Sequence, residues 1–171
     1  MTQRGNSGLE SGMDFGGRYR VAADRMAVWR ALKDTEVLKA CIPGCRTIEW
    51  VSEDALVAEI AVNLGVAHPV FTGDLKLSNV VPAQTYTLTG SGRGGLLGKA
   101  EASADIALSD MPGGETLLAF TAMGGASGRI MSLGKALIGN SAQKVIDGFF
   151  LRFGEAMGAT VSPLPAEPAP S

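Results

Sequence analysis

The stretch KAEASADIAL, residues 99–108, alternates polar and apolar residues with a period of two. One side of the extended chain carries the polar residues Lys99, Glu101, Ser103 and Asp105. The other side carries the apolar residues Ala100, Ala102, Ala104 and Ile106. Because successive side chains of a strand point to opposite faces, the stretch predicts a strand with one buried face.

The same alternation recurs on both sides of this stretch. It is present in the segments 56–64, 71–79, 85–90 and 115–123, and the segment 15–23 indicates a first strand. Turn-forming residues separate the segments at 52–54, 82–83, 92–95 and 112–114. Because such short loops join antiparallel neighbours, the pattern predicts an antiparallel meander.

Helical spacing appears before and after the strands. Asp24 is placed to cap a first helix, and a second short helix begins at Asp34 or Thr35. The segment 130–157 predicts a long helix that is apolar all round in its first half and amphipathic in its second, with a bend at Gly139.

Only the C-terminal helix is long enough to cover one face of the predicted sheet. The fold class is therefore α+β, with a curved antiparallel β-sheet wrapped around a long C-terminal helix. We expect one domain over residues 13–157, preceded by a disordered leader (1–12) and followed by a Pro-rich disordered tail (158–171).

Composition excludes several classes of protein. The net charge of −2 offers no basic footprint for a nucleic acid. No apolar stretch reaches the roughly 18 residues of a membrane span, and the first residues lack the apolar core of a signal peptide. We therefore expect a cytoplasmic protein, in which a structural disulfide is uncommon.

The string Cys41-Ile42-Pro43-Gly44-Cys45 is open to three interpretations: a redox pair, half of a metal site, or a turn that carries two thiols. A zinc site would also require His68, the one histidine, and C-x3-C is not a common zinc spacing. We interpret the two cysteines as packing residues on either side of a turn. A reversible disulfide remains the alternative, and we expect no metal.

Two glycine-rich strings resemble phosphate-binding motifs, but one lacks the helix that must follow such a motif and the other lacks the required spacing. GSGRGG (90–95) is followed by a strand pattern where a dinucleotide site needs a helix, and GRIMSLGKA (128–136) lacks the P-loop spacing. No nucleophile elbow or carboxylate pair is evident, so we predict no catalytic residues.

Small side chains in the row of residues 100, 102 and 104 leave volume beneath the helix. Phe149, Phe153 or Leu137 would fill that volume in a close-packed core. The alternative is an apolar pocket between sheet and helix that binds a hydrophobic ligand. The predicted lining comprises Ile60, Phe71, Leu75, Tyr86, Leu88, Ala100, Ala102, Ala104, Leu133, Leu137, Val145 and Phe149.

Across residues 13–157 the chain resembles the carbon monoxide dehydrogenase G-subunit family of the START-like (SRPBCC), helix-grip superfamily. The most specific part is the C-I-P-G-C string at 41–45 with Trp29 and Asp34 upstream. Weaker matches are Val28, Leu32, Val37-Leu38, Gly73 to Leu77, Gly98-Lys99-Ala100, Gly124-Gly125, Leu133-Gly134, Leu137-Ile138 and Phe149-Phe150.

The resemblance implies a non-catalytic accessory protein of a molybdenum hydroxylase. It would help recruit that enzyme to the inner face of the cytoplasmic membrane and hold a quinone or lipid in its cavity, with no covalent cofactor. Family members often attach to the membrane through a longer C-terminal extension. In this chain, we expect the apolar segment 130–138 to be the part that contacts the membrane.

Two other functions are compatible with the sequence. The same fold class includes enzymes of the aromatase/cyclase kind, which need polar groups inside the pocket. Tyr86 is the one polar side chain at a predicted inward position. A ligand-free protein–protein adaptor is the third possibility.

Overall fold

A computed structural model describes residues 12–65 and 67–165. Its eight strands form one sheet in the order β2-β3-β4-β5-β6-β7-β1-β8, in which all neighbours are antiparallel. The strands are β1 (Met13–Val21), β2 (Cys45–Trp50), β3 (Ala55–Ala61), β4 (Val70–Val81), β5 (Thr85–Arg93), β6 (Lys99–Met111), β7 (Glu115–Ser127) and β8 (Val161–Pro163). The predicted meander of strands is confirmed.

Among the described residues, three α-helices accompany the sheet: α1 (Arg25–Leu32), α2 (Thr35–Cys41) and α3 (Lys135–Met157). The side chain of Asp24 accepts a hydrogen bond from the Ala27 amide, and that of Asp34 accepts one from the Glu36 amide. These bonds satisfy amides that have no partner within the helices, so both predicted helix starts are confirmed.

The turn after α2 depends on Gly44, whose φ is +79°. Its carbonyl accepts a hydrogen bond of 2.8 Å from the Ala61 amide, which joins the turn to the end of β3. A Cβ at this position would collide with the Ala61 carbonyl oxygen. The C-I-P-G-C string therefore ends α2 and starts β2.

The predicted single helix over 130–157 is wrong at its beginning. Arg129–Leu133 form a 3-10 turn, and α3 begins only after Gly134, whose φ is +92°. The break thus lies at Gly134, where a left-handed conformation is open to glycine. Gly139, the predicted bend, lies inside α3.

The C-terminal segment contains a strand that the sequence did not predict. Val161–Pro163 pair with Tyr19–Val21 of β1, although these residues fall in the segment expected to be a disordered tail. The Leu164 amide also donates to the Arg18 carbonyl at 2.8 Å. Residues 166–171 of that tail and residues 1–11 of the expected leader lie outside the described residues.

Two apolar clusters lie between the concave face of the sheet and the helices. The larger includes Trp29 of α1, Leu118 of β7 and Phe153 of α3, of which Phe153 is fully buried. The smaller lies at the end of the sheet where α3 begins, and its buried members are Leu64, Ala126, Ile130 and Ile138.

Candidate functional site

A cavity of about 320 Å³ lies between the concave face and the C-terminal half of α3. This volume is at the lower end of the range for small-molecule pockets, roughly 300–1,000 Å³. Its wall is formed by Leu32, Leu38, Ile42, Ile48, Trp50, Leu56, Ile60, Leu75, Leu77, Tyr86, Leu88, Ile106, Leu118, Phe120, Val145, Ile146, Phe149 and Phe150.

Aromatic contacts hold α3 over this cavity. The Phe150 ring stacks on Tyr19 of β1 at a centroid distance of 4.0 Å, and it stacks on Phe120 of β7 at 5.7 Å. The Phe149 ring stacks on Phe153 at 5.5 Å. Stacked rings are rigid and large, so they fix the helix at a distance from the sheet and leave the space between them open.

The wall carries two side chains with a polar atom. Trp50 donates its indole N–H to the Lys33 carbonyl oxygen at 3.1 Å, which satisfies it away from the cavity. Tyr86 is only 8% exposed, and burial raises the pKa of its hydroxyl to about 12. All other wall residues are aliphatic or phenylalanine, so the cavity suits an apolar molecule.

The structure brings together half of the residues predicted to line a pocket. In the cavity wall are Ile60, Leu75, Tyr86, Leu88, Val145 and Phe149. Phe71 and Leu133 instead pack against the smaller cluster. Ala100 and Ala104 are half-buried outside the cavity, Ala102 is exposed, and Leu137 is half-buried on α3 outside the wall.

None of the three alanines Ala100, Ala102 and Ala104 lines the cavity, and at Ala100 the covering chain packs closely on the sheet. Ala100 pairs in register with Ala126, which is buried against Ile130 and Ile138. The chain that covers this end of the sheet therefore lies directly on it. The opening occurs where bulky side chains keep α3 and the sheet apart.

The sequence reasoning missed wall residues of three kinds. Seven lie on the strands of the sheet, namely Ile48, Trp50, Leu56, Leu77, Ile106, Leu118 and Phe120. Ile146 and Phe150 are adjacent to the predicted Val145 and Phe149, so a wider helical face would have found them. Leu32, Leu38 and Ile42 come from α1, α2 and the turn after them. No sequence pattern indicates that these short helices close one end of the cavity.

The two cysteines are free thiols in a packed turn. Cys41 is fully buried, and Cys45 is half-buried with its thiol directed at the Thr47 carbonyl oxygen at 3.4 Å. Burial is the main cause that raises the pKa of both thiols. No group of three or more potential metal ligands occurs within residues 12–65 and 67–165, and His68 is exposed.

The end of the sheet where α3 begins is basic. We call it the basic end: residues 62–65 and 67–69, the loops 94–98 and 128–134, and the flanking residues Arg93, Lys99 and Lys135. These loops contain no Asp or Glu, and Arg93, Lys99, Arg129 and Lys135 are all exposed. Only Arg93 of these four forms an ion pair among the described residues, with Asp74 at 3.4 Å.

The basic end also carries an exposed leucine. Leu96 is 83% exposed, in the 3-10 turn Gly95–Leu97 between β5 and β6. Within the segment 130–138, expected to contact a membrane, the two isoleucines Ile130 and Ile138 are turned inward, at 3% and 9% exposure, whereas Ser132, Lys135 and Ala136 are exposed. The break at Gly134 folds both isoleucines into one cluster.

A model of the carbon monoxide dehydrogenase G-subunit (CoxG) family matches residues 17–158. The chain belongs to this family. The match includes most of the described residues and every element except the start of β1 and β8. The family's name associates it with carbon monoxide dehydrogenase. No curated protein matches the chain.

Solved structures place the fold among START-like helix-grip proteins. A conserved protein from Geobacillus kaustophilus has a TM-score of 0.77 at 22% identity, covering 88% of this chain and 99% of its own. A START superfamily protein from Mycobacterium smegmatis has a TM-score of 0.64 at 10% identity, covering 85% and 97%.

The ZhuI aromatase/cyclase from Streptomyces sp. R1128 is also similar in structure. Its TM-score is 0.64 at 14% identity, with coverage of 85% of this chain and 94% of its own. At these identities the likeness concerns the fold alone. The same fold supports unrelated functions, so the choice between binding and catalysis has to rest on the residues that line the cavity.

In the described parts of the chain, no helix combines the length and the apolar composition that a membrane-spanning segment requires.

Proposed function

We propose that this protein is a non-catalytic accessory protein that carries a hydrophobic ligand in the cavity beneath α3. The observation that carries the proposal is the wall of the cavity, which is apolar apart from Trp50 and Tyr86. Catalysis by proton transfer or nucleophilic attack needs convergent polar groups, and a single tyrosine hydroxyl is a poor basis for either. The wall favours binding over turnover.

Membership of the CoxG family supports a more specific form of the proposal. The partner is a molybdenum hydroxylase of the carbon monoxide dehydrogenase type, and the ligand is a quinone or another lipid. A quinone would carry electrons from that enzyme to the respiratory chain in the membrane. The protein then acts at the inner face of the cytoplasmic membrane, where it recruits the enzyme.

The basic end supports the membrane part of the proposal. Lys99, Arg129 and Lys135 are exposed cations without an ion-pair partner in the described parts of the chain, and Leu96 projects beside them. Each cation near an anionic membrane surface contributes about 1 kcal/mol of attraction. Burying the leucine side chain adds roughly 1.5–3 kcal/mol. The basic end suits contact with anionic phospholipids.

Ligand extraction tests the cavity. The protein is expressed in a quinone-producing host and purified without detergent, and an organic extract is analysed by mass spectrometry. We expect an approximately stoichiometric isoprenoid quinone or lipid. The variant Leu88→Trp should lose it, because the larger ring occupies the cavity. Leu151→Trp is the matched control, since Leu151 is 71% exposed on α3.

Other results would support other functions. An empty protein that co-purifies with a molybdenum hydroxylase would indicate a ligand-free adaptor. Conversion of a polyketide-like substrate that Tyr86→Phe abolishes would indicate an enzyme of the aromatase/cyclase kind. A ligand that Leu88→Trp and Leu151→Trp retain equally would place it outside the cavity and contradict the proposal.

A further inference from the structure

The face of the sheet that points away from the helices, which we call the outer face, carries a broad groove. Its volume is about 870 Å³, larger than that of the cavity beneath α3. The groove runs across β5, β6, β7 and β1, and Leu164 lies at its margin. Small residues form much of its floor, including Gly16, Ala107, Ala119 and Thr121.

Two strands beneath this groove are apolar on both of their sides. Residues 106–108 of β6 and 117–120 of β7 are continuous apolar runs. Such a run is typical of a strand that is covered on both faces. Alternate residues of each run lie towards α3, and Ala107, Leu117 and Ala119 point the other way. These three belong to neither apolar cluster beneath the helices, so the described residues leave them uncovered.

The uncovered surface extends along the outer face beyond this groove. Met123 of β7 is 44% exposed there, and it lines a second groove of about 580 Å³. Thr89 and Ser91 of β5 line the second groove, as Thr85 and Thr87 line the first. Short side chains lose little conformational entropy when another surface covers them. An exposed face of this composition suits a contact with a protein.

Two of the residues that line the larger groove are charged, and each is held in place. Asp105 accepts a hydrogen bond of 2.8 Å from the Thr87 hydroxyl, which in turn accepts one of 3.2 Å from the Asn79 amide. Arg18 donates to the Pro165 carbonyl oxygen at 2.9 Å. Neither Arg18 nor Asp105 forms an ion pair within residues 12–65 and 67–165. Both groups keep further hydrogen-bonding capacity for a partner.

The two charges lie on opposite sides of a point between Thr121 and Ala119. Asp105 pairs in register with Thr121, and Ala119 pairs with Arg18. From the usual spacing of strands and of residues along them, the Cα atoms of Asp105 and Arg18 are about 12 Å apart. A two-fold axis in the plane of the contact, through this point and perpendicular to the line between the charges, would exchange them between two copies.

We propose that this protein forms a two-fold symmetric dimer through its outer face, in which Arg18 pairs with Asp105 of the partner subunit and the reverse. Ala107, Leu117 and Ala119 form the apolar centre of this contact. One cation and one anion give the groove no net charge that would attract an anionic membrane or a nucleic acid. The inference goes beyond the proposed function, because the outer face lies across the sheet from the cavity.

Sedimentation velocity of the purified full chain over a range of micromolar concentrations tests the dimer. We expect the unmodified protein to reach twice the mass of one chain. Arg18→Glu places a carboxylate against Asp105 of the partner subunit, and Asp105→Arg places a second cation against its Arg18. Because like charges in contact repel, the dissociation constant of each variant alone should rise at least about hundredfold.

A mixture of the two variants provides the decisive measurement. In a dimer of one Arg18→Glu chain and one Asp105→Arg chain, each introduced charge meets its opposite. We therefore expect the mixture to dimerise about as tightly as the unmodified protein, which also shows that both variants are folded. Lys144→Glu on α3 and Glu36→Arg on α2 are matched controls, because they reverse exposed charges away from the outer face. Both should remain dimeric.

Other results would overturn the inference. A monomer at all concentrations leaves the outer face to a different protein. A dimer that Arg18→Glu and Asp105→Arg retain places the contact elsewhere, and so does a loss in the two variants that mixing does not restore. The milder Arg18→Gln and Asp105→Asn should each raise the dissociation constant about tenfold. Unchanged constants in both would contradict the pairing of these residues.

Discussion

Pro43 of the C-I-P-G-C turn lies directly against Gly148 of α3. A Cβ added to Gly148 would come within 2.8 Å of the Pro43 ring. The glycine therefore lets the turn approach the helix that roofs the cavity, beside Val145 and Phe149 of its wall. The motif that marks the family in the sequence thus supports the cavity through packing.

This contact predicts opposite effects of two similar substitutions in α3. Glycine inside a helix is less stable than alanine by about 0.5–1 kcal/mol. Gly139→Ala should stabilise by that amount, because its new methyl group meets only the flexible Met13 side chain, at 3.4 Å. Gly148→Ala should destabilise by about 1–3 kcal/mol, since the rigid Pro43 ring must move. Urea unfolding measures both, and equal shifts would contradict the Pro43 contact.

The basic end should bind anionic vesicles through Leu96. We expect the protein to co-sediment with phosphatidylcholine vesicles containing phosphatidylglycerol, and less so at high salt, because salt screens the cations. Leu96→Ser should weaken binding about tenfold or more by removing the inserted side chain.

Leu151→Ser is the control for this experiment, since Leu151 is similarly exposed but lies roughly 24 Å along α3 from its first residue, at 1.5 Å per residue. It should bind vesicles as the unmodified protein does. Equal losses in the two variants, or equal binding to neutral vesicles, would show that the basic end is not the contact.

The thiols should differ in reactivity. Because burial raises the pKa of both, each is less ionised near neutral pH than a free cysteine, and the thiolate is the reactive form. Half-buried Cys45 should react slowly with a disulfide reagent, and faster as the pH rises. Fully buried Cys41 should react only after unfolding.

Cys45→Ser provides the control for thiol titration, since the folded variant should show no reactive thiol. The unmodified protein should give two thiols in denaturant without reductant. A loss of both thiols under these conditions would instead support the disulfide alternative.

Tyr86 should make stability fall at alkaline pH. Its pKa is about 12 in the folded protein, against 10.0 for the unperturbed group, so the unfolded chain releases this proton first. The contribution is fully present below pH 10 and is lost as the pH rises to about 12. The loss is of the order of 2 kcal/mol.

The comparison of Tyr86→Phe with the unmodified protein isolates this contribution, because other titrating groups are common to both. The free energy of unfolding from urea titrations at pH 9 and pH 11.5 should fall less in the variant. Equal falls would mean that the hydroxyl is not desolvated.

Local features of the fold could be predicted from the sequence because neighbouring residues decide them. Asp24 and Asp34 cap helices through amides two or three residues away. The alternation of β6 fixes its faces, since Ala104 and Ile106 pair with Leu88 and Tyr86 on the same side. Gly134 was missed because the apolar run continues across it, while its φ of +92° ends the 3-10 turn.

By itself the sequence determined the order of the elements, the antiparallel meander, the two capped helices, and the family that the turn at 41–45 indicates. Strand β8 and the place of the cavity were decided only by tertiary structure. Pairing of Val161–Pro163 with β1 joins segments far apart in the chain, which periodicity does not detect. The cavity opens where large rings separate α3 from the sheet, and closes where Ala126 lets the chain approach. Packing across elements sets that difference, and no single segment encodes it.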